Sequence, residues 1–207
     1  MNLASWDERH RAAAGQAAAE PASFVTELMP LLPNGPALDL ACGAGRHALL
    51  LGARQHVTAV DGSAVALDVL EKRARTASQT VRRGRDLKAM AASDSGAGSG
   101  IDLVQGDLEQ VTLPADCYSL ILCVHYLQRS LFCQIERALA PGGMLLFETF
   151  TRAQLDFEGG PKNPEFLLES GELRVAFPGL RLMFYRELRA GKGIASLLAR
   201  KAGGAVA

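Results

Sequence analysis

The chain has 207 residues, a length for one domain and at most two. Hydrophobic residues make up 48% and charged residues 21%, which excludes a disordered chain, a collagen-like repeat and a heptad-only rod. Lys and Arg total 22 against 22 Asp and Glu, and this balance disfavours a net-basic nucleic-acid binder.

The N-terminal stretch, residues 1–11, mixes Trp6, Asp7, Glu8 and Arg9 and does not read as a signal peptide. No apolar run approaches the ~18 residues that span a bilayer. The four cysteines, Cys42, Cys117, Cys123 and Cys133, form no C-x-x-C pair, so neither a zinc site nor a disulfide framework is expected. The expectation is a reduced, cytoplasmic protein with no metal, no membrane partner and no nucleic-acid partner.

Residues 12–32 are Ala-rich, with Phe24, Leu28 and Leu31 or Leu32 at helical spacing; Pro21 is placed near a helix start, and Pro33-Asn34-Gly35-Pro36 stops that helix. Residues 37–41 are a short apolar run, followed by Cys42-Gly43-Ala44-Gly45 and a second apolar run from Arg46 to Leu51. That order predicts strand, Gly-rich turn and helix. Residues 55–60 predict the next strand, closed by Asp61-Gly62, and Ser63 is placed to cap a helix over 64–75. Residues 78–100 break the pattern and end in a Gly/Ser-rich run, so they are expected to form a flexible insertion. Strands resume at 101–105 and 120–124, Ser130 is expected to cap a helix carrying Leu131, Ile135 and Leu139, and Pro141-Gly142-Gly143 leads into a strand at 144–150. Two apolar runs at 180–188 and 194–201, joined by a short Gly-containing loop, predict an antiparallel hairpin.

The repeated β-α order implies an α/β fold with a parallel sheet wrapped by helices. One domain spans 1–207, with 1–35 as a helical cap and 151–179 as a cover over the site.

Glycines at 43 and 45 suit a strand-to-helix turn that needs positive φ or close backbone approach, and the free N–H groups there favour an anion. Asp61 and Asp107 follow at successive strand ends, and Asp39 lies inside the first strand. A carboxylate at Asp61 can accept from both ribose hydroxyls, and one at Asp107 from an adenine amino group. This trio points to a nucleoside. A Gly turn with no ligand is the plain alternative for the turn alone. Gly43-x-Gly45-x-x-Ala48 also fits a dinucleotide fingerprint, so an NAD-dependent oxidoreductase is the second reading and a non-catalytic nucleoside-binding module the third. The hairpin tail stands against a dinucleotide domain, which usually continues with parallel strands.

The run 37–47 resembles motif I of the class I S-adenosylmethionine-dependent methyltransferases. Val60-Asp61, Gly106-Asp107-Leu108 and Ala140-Pro141-Gly142-Gly143 resemble further motifs of that superfamily. More narrowly, the chain is similar to the tellurite-resistance (TehB-like) branch, through Trp6-Asp7-Glu8-Arg9-His10, Tyr126-Leu127 with residues 129–132, residues 148–151 with Gln154, and residues 163–168 with 171–173. The resemblance implies a Rossmann-like, seven-stranded sheet ordered 3-2-1-4-5-7-6, the cofactor S-adenosyl-L-methionine, and a small molecule or small oxyanion (tellurite, selenite, a thiol) as acceptor. It implies that Asp39 and Gly43 contact the methionine part, Asp61 the ribose, and Asp107 and Leu108 the adenine, with Ala41, Gly45 and Gly62 also at the cofactor. Cys123 would line the cofactor, with Trp6 and Arg9 closing over it.

Four residues are candidates for the chemistry. His125 stands where an acceptor approaches and its titration range suits a base, with a hydrogen-bonded turn histidine as the competing account. Tyr126 and Arg129 can orient an anionic acceptor, against a helix-start packing role. Glu148 can bond the substrate or hold Arg9. His47 is expected to pack, and Cys42 and Cys123 to serve as small buried hydrophobes. His10 and His56 are expected at the surface, and the basic run 72–88 as a solvated helix end. Two departures from the family pattern are Ser119 before the fourth strand and His125 itself, where relatives often carry Arg.

Overall fold

The computed structural model describes residues 3–13, 19–92 and 98–203. In chain order these form α1 (Leu3–Ala13), α2 (Ser23–Leu28), β1 (Ala37–Leu40), α3 (Arg46–Gly52), β2 (His56–Asp61), α4 (Ala64–Thr76), β3 (Val81–Gly84), α5 (Leu87–Ala92), β4 (Gly100–Gln105), β5 (Tyr118–Val124), α6 (Phe132–Ala138), β6 (Leu139–Phe150), α7 (Glu172–Val175), β7 (Leu180–Arg189) and β8 (Gly193–Lys201). One sheet carries all eight strands in the order β3-β4-β2-β1-β5-β6-β8-β7. The six strands from β3 to β6 pair in parallel, and β8 runs antiparallel to both β6 and β7.

β1 and β5 sit at the centre, and their sequences say why. Leu38, Leu40, Leu120, Ile121 and Leu122 are wholly buried, as expected of strands covered on both faces. Each such side chain contributes roughly 1.5–3 kcal/mol on burial. Leu38, Leu40, Ile121 and Phe147 face a core closed by α6, with Ile135 and Ala138, and by Leu173 of α7. Leu51, Leu67, Leu70 and Phe24 close the opposite core against Leu120, Leu122 and Leu146. The hydroxyl of Ser63 accepts the Ala66 N–H at 3.1 Å and caps α4 as expected.

Two expectations are corrected. The sheet has eight strands, not seven, because residues 81–84 add an outer parallel strand to β4 in register Val81↔Ile101 through Gly84↔Val104. That strand and α5 fall inside the expected insertion 78–100; residues 93–97 of its Gly/Ser-rich end lie outside the described residues. Ser130 caps nothing: residues 129–131 form a 3-10 turn ahead of α6, and the Ser130 hydroxyl accepts from Gln128 Nε2 at 2.9 Å. The helix expected to start near Pro21 and stop at Pro33-Asn34-Gly35-Pro36 is α2 from Ser23, continued by a 3-10 turn over Met29–Leu31; residues 14–18 lie outside the described residues.

The basic run is largely exposed, as expected, and begins at the end of α4, but it continues onto β3 and α5, and several of its arginines are paired. Arg82 grips the buried Asp102 carboxylate through Nε at 2.8 Å and Nη2 at 2.7 Å, and His56, expected at the surface, donates from Nε2 to the same carboxylate at 2.8 Å. Arg83 pairs with Glu71 and Asp68, and Arg75 with Glu71. These acids on α4 and β4 neutralise much of the run.

Candidate active site

The carboxyl ends of β1, β2, β5 and β6 open into one cavity of about 920 Å³. Open α/β sheets bind ligands at such an edge. The chain leaves β1 through residues 41–45, where Ala41, Gly43 and Gly45 have φ of 55°, 53° and 84°. At Gly45 a β-carbon would come 2.1 Å from Leu70 Cδ1, so glycine lets α4 pack against the turn. At Gly43 the nearest atom to a β-carbon would be His10 Cε1 at 3.5 Å, and that position opens onto the cavity.

Asp61 closes β2 and ties three segments together. Its Oδ2 accepts the Gly43 N–H at 2.8 Å and its Oδ1 the Ser63 N–H at 2.8 Å. A carboxylate has about four lone-pair sites, so each oxygen keeps capacity toward the cavity it lines. Asp107 lies past β4, accepting the Glu109 N–H at 3.0 Å and Gln110 Nε2 at 3.2 Å. Gly62 and Leu108 line the cavity beside these two acids.

Asp39 sits beneath the turn, 1% exposed, and its Oδ2 has no hydrogen-bond partner among the described residues. Burial pushes its carboxyl up to about 7, opposed by Arg46 and reinforced by Asp61. An orphaned buried carboxylate oxygen under a glycine turn fits a cationic or N–H-bearing ligand group, because such a group would remove the desolvation cost.

His125 follows β5 with φ 62°, and its N–H donates to Glu148 O at 2.7 Å. Its ring lies 4.8 Å from that of Phe150. Nδ1 is 2.9 Å from Arg46 Nη2, while Nε2 faces Glu148 Oε1 at 3.7 Å. Burial, then Arg46 and Lys192, lower its imidazole to about 4. Arg46 is held below its ordinary value by burial, with Asp39 and Glu148 acting against that.

The structure brings most of the expected site residues to one cavity. Trp6, Arg9, Ala41, Gly43, Gly45, Asp61, Gly62, Asp107, Leu108, His125 and Tyr126 all line it. Burial pushes the Tyr126 phenol well above its ordinary value. Helix α1 lies over the opening, fastened where Asp7 accepts from Ser63 Oγ at 2.5 Å, and the Arg9 guanidinium sits 5.1 Å over the Trp6 ring. Four expected residues stand off the cavity surface. Asp39 and Cys123 lie beneath it, and burial pushes the Cys123 thiol up. Glu148 is 1% exposed and accepts from Ser196 Oγ at 2.6 Å. Arg129 is bound to Glu172 at 2.6 and 2.9 Å and to the carbonyls of Glu165 and Leu167, as a strut under residues 164–173.

Several lining residues went unrecognised in the sequence. Arg46 opens α3 directly after the glycine turn, and that adjacency is the signal that marks it. His10, expected at the surface, lines the cavity, and Arg73, counted in the basic run, donates to Ala44 O at 3.2 Å. Lys162 and Asn163, not named individually, come from the loop after β6, inside the stretch 151–179 expected to cover the site. His47 packs as expected: its Nε2 accepts the Ala22 N–H at 3.1 Å, and burial lowers it to about 3.

Comparison with known proteins bears on this geometry. A family model described as a methyltransferase domain matches residues 38–147. No curated protein matches in sequence. Among solved structures, the chain is similar to one described under the conversion of a disulfide bond into a thioacetal group during echinomycin biosynthesis, at 16% identity and TM-score 0.69 over 99% of this chain and 94% of that one. It is similar to TehB from Haemophilus influenzae at 17% identity and TM-score 0.69, covering 91% of this chain and 65% of that one. A methyltransferase described as SAM-dependent from Methanosarcina mazei gives 15% identity and TM-score 0.62, over 90% and 100%. At these identities the likeness is one of fold.

Proposed function

Because the chain belongs to the methyltransferase-domain family and takes S-adenosyl-L-methionine as its cofactor, we propose that it moves the methyl group onto a small molecule or small oxyanion held over the ends of β5 and β6. The observation that carries this reading is Asp61, whose carboxylate is anchored on two backbone N–H groups and still faces the cavity. In this reading Asp61 and Gly62 hold the ribose and Asp107 with Leu108 the adenine. Asp39, Ala41, Gly43 and Gly45 surround the methionine part, over Cys123, and Trp6 and Arg9 cover it from α1.

The cofactor supplies a methyl group already activated on a cationic sulfur. The chain therefore needs mainly to align the acceptor, and orientation of this kind is worth roughly 7–11 kcal/mol in favourable cases. Tyr126 and His125 form the wall beside which the acceptor lies, and Phe150 and Phe166 line the cavity with them. Arg129 acts behind this wall by holding residues 164–173, and Glu148 by accepting the His125 N–H at its backbone carbonyl.

The TehB-like branch is the finer assignment, and the N-terminal Trp6-Asp7-Glu8-Arg9-His10 supports it, since three of those residues line the cavity. Tellurite, selenite or a thiol are then the acceptors to try. The dinucleotide alternative is not carried forward, because β8 and β7 close the sheet antiparallel where a second parallel half would continue. Calorimetry with S-adenosylmethionine and S-adenosylhomocysteine, followed by an acceptor screen for methylated products by mass, tests the proposal. Micromolar binding of both and one methylated product are expected; no binding at millimolar concentration rejects it.

A further inference from the structure

Acidic and basic groups are segregated in the cavity. Asp61, Asp107 and Glu109 stand at the ends of β2 and β4, whereas Arg46 and His125 meet at the end of β5. The other lining cations are engaged: Lys162 donates to the carbonyls of Gln154 and Phe157, Arg73 to that of Ala44, and Arg9 lies on Trp6. Arg46 has a single hydrogen bond among the described residues, from Nη2 to His125 Nδ1. Its facing carboxylates are Asp39, buried beneath the turn, and Glu148, buried behind His125. A half-buried guanidinium with most of its donors uncommitted is matched to an anion.

The same hydrogen bond settles what His125 can do. A guanidinium carries only donors, so Nδ1 must be the lone-pair nitrogen and the ring proton lies on Nε2, toward Glu148. Neither nitrogen then has a lone pair left for an acceptor's proton. Glu148 does not line the cavity, and the Tyr126 phenol is a donor at neutral pH. Among the described residues, this end of the cavity has a cation and no free base.

We infer that the acceptor enters already ionised, its charge met by the Arg46 guanidinium, and that His125 is a positioning residue that holds Arg46. The inference rests on the methyl-transfer reading above. The acceptor's lone pair forms the new bond to the methyl carbon while the carbon–sulfur pair returns to sulfur. A singly charged acceptor thus leaves neutral, and a dianion singly charged, with no proton to place.

The test is equilibrium binding to the protein saturated with S-adenosylhomocysteine. The probes are 4-nitrothiophenolate, ionised at neutral pH, and its neutral methyl sulfide. Wild type is expected to bind the thiolate about tenfold or more tighter than the sulfide. Arg46→Gln is expected to erase that preference, Arg46→Lys to retain part of it, and both to keep S-adenosylhomocysteine affinity within about twofold. Nitrogen NMR of the His125 ring should show the Nε2–H tautomer in wild type and its loss in Arg46→Gln. Equal affinity for the two probes, or binding of neither, overturns the inference. So does an Arg46→Gln protein that loses S-adenosylhomocysteine and keeps the thiolate, since Arg46 then serves the cofactor's carboxylate. Failure of S-adenosylhomocysteine to bind wild type is seen before any probe is added, and it rejects the methyl-transfer reading instead.

Discussion

Asp61 and Gly43 are joined by a 2.8 Å hydrogen bond from the turn after β1 to the carboxylate that ends β2. One side chain thus sets the shape of the turn and presents its remaining lone pairs to the cavity. Asp61→Ala removes both functions. Hydrogen bonds to a charged group contribute about 1.5–3 kcal/mol each, so we expect a loss of roughly 2–4 kcal/mol in urea unfolding. S-adenosylmethionine affinity should fall at least about tenfold by calorimetry, and Asp61→Asn should recover part of the stability and less of the affinity.

Gly45 is constrained twice, by φ of 84° and by Leu70. Gly45→Ala should cost about 2–4 kcal/mol, from the left-handed conformation and the overlap with Leu70 together. Adding Leu70→Ala should relieve only the overlap, so a double-mutant cycle in urea should show a favourable coupling between the two changes.

Ser63 serves α4 and α1 at once, accepting from Ala66 N–H and donating to Asp7. Ser63→Ala should cost about 1 kcal/mol through the lost cap. Amide exchange across α1 should also accelerate, because the helix loses its fastening to the rim, and cofactor affinity should weaken with it. Unchanged exchange across α1 would show that Asp7 does not hold the helix.

Two buried groups give opposite pH dependences. Asp39 has a folded value raised from 3.8 to about 7, so the folded state binds more protons and stability falls as pH rises through that window. His47 has a folded value lowered from 6.5 to about 3, so its contribution is present above 6.5 and is lost as pH falls toward 3. At about 1.4 kcal/mol per unit, each is worth at most on the order of 4 kcal/mol. Asp39→Asn should therefore make stability rise more steeply between pH 4 and 7 than in wild type. His47→Gln should make it rise less steeply between pH 3 and 6.5. Chemical denaturation across this range reads both slopes.

Arg129→Ala tests the strut. Half-exposed ion pairs contribute little, so we expect a loss of about 1 kcal/mol and raised exchange over residues 164–173. S-adenosylhomocysteine affinity should stay within about twofold. A larger drop in affinity would place Arg129 in the site after all.

The alternation of apolar runs with Gly turns was enough to read β1, β2, β4, β5, β6 and the closing hairpin, because strands buried on both faces are continuous apolar runs. The acids at the strand ends, Asp61 and Asp107, were legible for the same reason: the end of a run locates the rim. β3 was not, since Val81-Arg82-Arg83-Gly84 is polar and becomes a strand only through β4 and the acids Asp102, Glu71 and Asp68. Ser130 misled because a residue with cap chemistry sits in a 3-10 turn, where packing of Leu131 and Phe132 sets the helix start.

What the sequence determined by itself is the α/β order, the glycine turn and the acids that follow the strands, because each depends on neighbours within a few positions. The tertiary structure alone decided which side chains reach the cavity and in what protonation state. Arg46 and His125 are 79 positions apart, and their contact exists only because β1 and β5 lie side by side. That contact selects the imidazole tautomer, and burial behind it sets the proton affinities, neither of which any local pattern encodes.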